Sequence, residues 1–144
     1  MSFIAAWNYF YCRTSLNELR WMHREEFPAG LSYHDMLYMN IIAITPDCTV
    51  SGLAEMLGVS TPGVTEKVNG LVRKGLVEKV RDSVDRRVFR LCLKPEIAAV
   101  YESWGRFSGE METQLLQKYS KNDLALFTRI LKDAADYDRT SEAK

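Results

Sequence analysis

Between Ser60 and Lys94 the chain carries nine basic residues, at positions 67, 73, 74, 79, 81, 86, 87, 90 and 94, against four acidic ones, at 66, 78, 82 and 85. That stretch is therefore +5 in a chain whose formal net charge is zero, and it offers a surface suited to a polyanion. The residue types there recognise rather than react. Ser60, Thr61 and Thr65 are hydroxyls for phosphate or base edges, Asn69 has the amide pair that reads adenine, and Lys67 and Arg73 suit phosphate or guanine. Glu66 is the awkward member: it repels phosphate, so it either accepts from a cytosine amino group or pairs with Lys67 or Arg73. Further on stands a charged run, Arg81-Asp82-Ser83-Val84-Asp85-Arg86-Arg87. Asp85 is expected to pair with Arg81 across a loop and shape it, so that Arg87, helped by Arg86, enters a minor groove whose negative potential attracts guanidinium. Arg90 and Lys94 are expected nearer the backbone.

Other chemistries find no residues. Nothing resembles a nucleophile and base pair, a phosphate loop or a metal cluster, and Glu110 and Glu112 fall on different helix faces, so no enzyme, cofactor or metal is expected. Three cysteines at distant positions, Cys12, Cys48 and Cys92, argue against a disulfide framework and for a reducing compartment. No run approaches the roughly 18–20 apolar residues of a membrane span, and the start lacks a basic signal region, so a cytoplasmic location is expected.

The elements that must position these residues are helices and one hairpin. Helix one is expected over about residues 3–25, with Trp7, Tyr11, Leu16, Leu19 and Met22 periodic, and stops at Phe27-Pro28-Ala29-Gly30. Ser32 and Asp35 form a capping box for a second helix whose apolar stripe is Leu37, Ile41 and Ile44, before Pro46. A short third helix, about Ser51 to Leu57, buries Leu53 and Leu57 and ends at Gly58. Ser60 caps a fourth, where Pro62 costs no hydrogen bond and Val64, Val68, Leu71 and Val72 line the inner face. Gly75 takes a left-handed exit, with Leu71 meeting Leu76, into strands at about 76–81 and 87–93 whose Phe89, Leu91 and Leu93 alternate inward. Pro95 opens a long fifth helix with Ile97, Val100, Trp104, Phe107, Met111 and Leu115 in phase, and Ser120 with Asp123 caps a last one.

Ala54, Gly58 and Val64 are spaced as in a helix-turn-helix, which puts the fourth helix in a major groove, and the hairpin behind it makes a winged helix. Here the chain resembles the multiple antibiotic resistance regulator (MarR) family. The likeness rests on Leu31-Ser32, Val50-Ser51-Gly52-Leu53-Ala54, Lys74-Gly75-Leu76-Val77, Asp85-Arg86-Arg87 and Tyr119-Ser120-Lys121-Asn122-Asp123-Leu124. It departs at Leu93-Lys94-Pro95-Glu96, where the family usually has a Thr-containing turn and a glycine. The expectation is a mostly α winged helix-turn-helix of a single domain, 1–144, with a DNA-binding lobe at 31–94 and dimerisation helices at 1–30 and 95–144. The resemblance implies a homodimeric transcriptional regulator, a repressor that binds double-stranded DNA at a pseudo-palindromic operator and is released by a small-molecule effector; an aromatic effector is the expected partner.

Plainer readings stand beside these. Charged hairpins and Ser-capped basic helices are usually solvated surface, but their adjacency and order favour the nucleic-acid reading. Tyr11, Tyr38 and Trp104 are candidates to line an effector pocket, although aromatics at helical spacing are more often core. His34, in the first turn of helix two, is by default a surface residue. Cys12 would make the chain a redox sensor, yet the favoured reading is a small buried hydrophobe. Cys48 and Cys92 read as packing residues. The rival function is a winged helix whose basic face meets an acidic protein.

Overall fold

The computed structural model describes residues 1–24 and 30–137, in two compact units, Met1–Tyr101 and Glu102–Lys144. The first unit begins with α1 (Phe3–Met22), where the Ser2 hydroxyl accepts from the Ala5 amide. The Phe27-Pro28-Ala29 part of its expected stop lies outside the described residues. Then come α2 (Tyr33–Ile44), α3 (Val50–Leu57), α4 (Thr61–Arg73), β1 (Val77–Arg81) and β2 (Phe89–Leu93). The strands pair antiparallel, Val77 opposite Leu93 and Arg81 opposite Phe89, and Thr49 adds a single bridge to Arg90. The long α5 (Pro95–Leu116) starts in this unit and continues into the second, which also holds α6 (Lys121–Ala135).

Capping explains most boundaries. Ser32 and Asp35 form the full reciprocal box at the start of α2, and Ser120 and Asp123 repeat it at α6. The Thr49 hydroxyl accepts from the Gly52 amide and opens α3. Gly58 (φ 64°) and Gly75 (φ 71°) occupy the left-handed region, where a side chain would be strained. After Gly75 the Leu76 amide donates to the Leu71 carbonyl at 3.0 Å, the expected wrapped exit.

The core of the first unit is built from Met36 and Met39 of α2, Leu53 of α3, Val64, Val68 and Leu71 of α4, and Leu76 and Val77 at the hairpin's start. Each such side chain contributes about 1.5–3 kcal/mol through removal from water. Around it, Trp21 meets Tyr101 edge-on at 5.4 Å, and the Tyr101 hydroxyl donates to Asn40 at 2.7 Å. Burial pushes the Tyr101 phenol well above its ordinary range, with the Glu18 charge adding to the effect.

Two expected faces are corrected. In α2 the buried residues are Met36, Tyr38, Met39 and Ile42 together with Asp35, whereas Leu37 and Ile44 are exposed. The helix is apolar on nearly every side, so periodicity did not single out the face that packs. In β2, Leu91 is buried but Phe89 is exposed at the hairpin's far end, where the strands run past the core.

Candidate nucleic-acid interface

Helix α3 and helix α4 cross through the Gly58 turn, where the Val59 amide donates to the Ala54 carbonyl at 3.1 Å. Ala54 is buried and small enough for the close crossing. With Val64, Val68 and Leu71 turned inward, α4 presents Thr61, Pro62, Thr65, Glu66, Asn69 and Arg73 around a shallow groove of about 490 Å³. Ser60 is the cap residue by position, but its hydroxyl makes no capping bond. It stays available to an incoming oxygen together with the first-turn amides, which have no intrahelical partner. The Thr65 hydroxyl donates to the Thr61 carbonyl at 2.8 Å and keeps its lone pairs.

Lys67 is not on that face. Its ammonium donates to Asp35 Oδ1 at 2.7 Å and lies 5.8 Å from the Tyr38 ring centroid. Lys74 donates to Asp35 Oδ2, also at 2.7 Å. The expected phosphate or guanine role of Lys67 is therefore corrected: a carboxylate that is 3 % exposed has drawn it inward. Burial alone would raise the Asp35 pKa, but hydrogen bonds from Lys67, Lys74 and Ser32 outweigh it and hold the carboxyl well below the usual carboxylate range. Asp35 thus caps α2 and holds α4 at once. Asn69 Oδ1 accepts from Lys79 of β1 at 2.8 Å, which fixes the orientation of its amide.

The hairpin tip is organised differently from the expectation. Asp85 does not pair with Arg81. It accepts from the backbone amide and the guanidinium of Arg87, at 3.0 Å and 3.1 Å, while the Arg81 guanidinium lies over the Phe89 ring. Two residues apart on a tight tip, Asp85 and Arg87 meet more easily than groups separated by the whole loop. The pair lowers the Asp85 pKa and raises that of Arg87. The loop is shaped instead by Asp82, a residue sequence reasoning missed: Oδ1 accepts from the Val84 and Asp85 amides at 2.8 Å. An Asp followed by two or three residues whose amides turn back onto it is a recognisable local signal. Arg90, expected near a phosphate backbone, is occupied elsewhere. Its guanidinium bonds Asp82 on one side and Asp47 on the other, and Asp47 holds a left-handed backbone (φ 54°) in the α2–α3 loop. Lys94 lies 3.8 Å from Glu78. Arg86 is exposed and Arg87 is 91 % exposed, so the tip displays two guanidinium groups.

Two of the three residues expected to line an effector pocket have different surroundings. Tyr11 is 63 % exposed on α1, whereas Tyr38 is 5 % exposed and packs edge-on against His34 at 5.0 Å. The Trp104 side chain lies outside the described residues. Cys12 is exposed within the chain, which corrects the buried reading; Cys48 is buried as expected, and desolvation raises its pKa, with the nearby Cys92 adding to it. Among the described residues no helix is long and apolar enough to cross a membrane, and no cluster of ligating side chains forms.

Residues 29–88 match the MarR family model. Over those residues the winged-helix lobe is similar to the MarR family. Streptococcus pneumoniae FabT, solved in complex with DNA, is 25 % identical over 97 % of this chain and 95 % of its own, with a TM-score of 0.68. A MepR mutant from Staphylococcus aureus has the same fold at 14 % identity, covering 94 % and 96 % of the two chains (TM-score 0.70). So has a MarR-like transcriptional regulator from Thermotoga maritima, at 18 % identity over 95 % and 99 % (TM-score 0.66). No curated protein matches the chain by sequence.

Proposed function

We propose that the protein is a MarR-family transcriptional regulator, a homodimeric repressor that binds a pseudo-palindromic duplex, with α4 in the major groove and Arg86 and Arg87 at the adjoining minor groove. One observation carries the reading. The outward face of α4 lines an open groove through Thr61, Thr65, Glu66, Asn69 and Arg73, and the wing tip exposes Arg86 and Arg87, the latter while bonded to Asp85. Thr61, Thr65, Asn69 and Arg73 then meet base edges or phosphate, and Ser60 meets the phosphate at the helix start. Unburied apolar side chains support dimerisation: Phe3, Ile4 and Phe10 on α1, and Leu126, Phe127 and Ile130 on α6, are all exposed in the single chain.

The decisive experiment is duplex binding at several salt concentrations, with the mass in solution measured in parallel. The expected result is a dimer protecting half-sites about one helical turn apart, roughly 10–10.5 base pairs or a multiple, with affinity falling steeply as salt rises. Tight binding by a monomer would sink the proposal, and binding to an acidic protein but to no duplex would favour an interaction module.

A small-molecule effector would release the operator by binding more tightly to a lobe arrangement that no longer fits the grooves. The exposure of Cys12 favours a second route, oxidation of that thiol. Operator release by peroxide and by aromatic acids, on wild type and Cys12→Ser, separates the two. Peroxide release that vanishes in the variant assigns the signal to Cys12, and release by an acid in both proteins assigns it to a pocket.

A further inference from the structure

Glu66 stands at the centre of the outward face of α4, facing where a polyanion would lie, and it is exposed. An acid there needs a partner. On a helix the partners are the neighbours three and four residues away, which here are Pro62, Gly63, Asn69 and Gly70, none of them cationic. The adjacent Lys67 is drawn to Asp35, and Lys79 is held on Asn69. Arg73, two turns on, rests its guanidinium against Gly70 and makes no salt bridge with Glu66. No salt bridge forms at Glu66 among the described residues, and Gly63 and Gly70 bring no side chain of their own beside it.

We infer that Glu66 is a specificity-determining residue that selects a cytosine in each half-site, accepting a hydrogen bond from its exocyclic amino group. This rests on the reading that α4 enters a major groove. Of the four bases, guanine and thymine offer acceptors at the major-groove edge and would repel a carboxylate. Adenine offers a donor but sets the N7 lone pair beside it, and cytosine alone offers a donor with no adjacent acceptor. The charge that weakens attraction to every duplex alike becomes favourable at one base pair. Asp35 is indirectly part of this device, because by holding Lys67 it keeps the Glu66 carboxylate free.

The test is selection from a pool of randomised duplexes by the full-length wild type, Glu66→Gln and Glu66→Ala at one salt concentration, with thermal unfolding as a check that all three fold alike. The wild type should enrich cytosine at one position per half-site. Replacing that cytosine by guanine should weaken binding roughly 5- to 150-fold. Glu66→Gln should shift the preference at that position to adenine, which a carboxamide can bond through both N6 and N7, and Glu66→Ala should lose the preference while other positions keep theirs. Identical base preferences in all three proteins would overturn the inference but leave the DNA-binding reading standing. So would a Glu66→Ala protein that binds every duplex more tightly with no change in preference, since Glu66 would then be only a repelling surface acid. A wild type that enriches no duplex would overturn both.

Discussion

Helices α4 and α6 are of similar length, 13 and 15 residues, and both carry a clear apolar stripe, yet they end in opposite states. Val64, Val68 and Leu71 of α4 are wholly buried, whereas α6 has no buried residue, and its Phe127 and Ile130 are 45 % and 48 % exposed. A further apolar groove in the second unit, lined by Leu115, Tyr119, Leu124, Leu126 and Phe127 among others, lies open. An apolar stripe therefore says that a face is destined for burial, but not whether the covering surface comes from the same chain. In α4 the partners are α3 and the hairpin; for α6 the second copy proposed above would supply them.

The largest expected effect is on the closed side of this comparison. Leu71→Ala should cost about 2–5 kcal/mol of unfolding free energy, read by denaturant titration, because the transfer loss is joined by a cavity. Phe127→Asp probes the open side. It should weaken self-association by about 2 kcal/mol or more, seen as a fall in solution mass at fixed concentration. An unchanged mass would mean that the exposed face of α6 is not covered by a second copy, and the contrast would lose its explanation. Arg87→Ala should remove about 1–3 kcal/mol of operator affinity with unfolding unchanged. Asp85→Ala should weaken operator binding less, through the loss of the bond that organises the Arg87 backbone.

Asp35→Asn keeps a hydrogen-bonding cap but removes the charge that holds Lys67 and Lys74, at a cost of about 1–2 kcal/mol near neutral pH. Its pH dependence is specific. The folded-state pKa lies below the ordinary 3.8, so the unfolded chain binds the proton first as acid is added. The stabilisation is fully present above the unfolded pKa and is lost as pH falls from about 4 toward the depressed folded value. Urea titrations across that window should show a steeper acid limb in the wild type than in Asp35→Asn. The smallest effect is expected from Cys12→Ser, which in reducing buffer should alter unfolding by less than about 0.5 kcal/mol.

What was legible in the sequence was local. The Ser32 and Ser120 caps, the left-handed glycines 58 and 75, the helix-turn-helix spacing and the hairpin all follow from interactions within a few residues, and all are present in the fold. Side chains that answer to distant partners were not legible. Lys67 and Asp35 are 32 residues apart and Arg90 and Asp47 are 43 apart, so nothing in either neighbourhood announces the pairing. Both pairings take a cation away from the surface it was expected to serve. The segment's charge was thus read correctly from composition, while its division between scaffold and ligand depends on tertiary structure.

Arg90 has a mechanical consequence. One guanidinium ties the tip of the wing, through Asp82, to the loop between α2 and α3, through Asp47, while Asp35 fastens α4 to the start of α2. Helix and wing are set into one frame like the pins of a plug, at a fixed pitch. On the reading proposed above, turning either pin to suit a socket of a different spacing would break ion pairs, so a misfitting duplex would be refused by both at once.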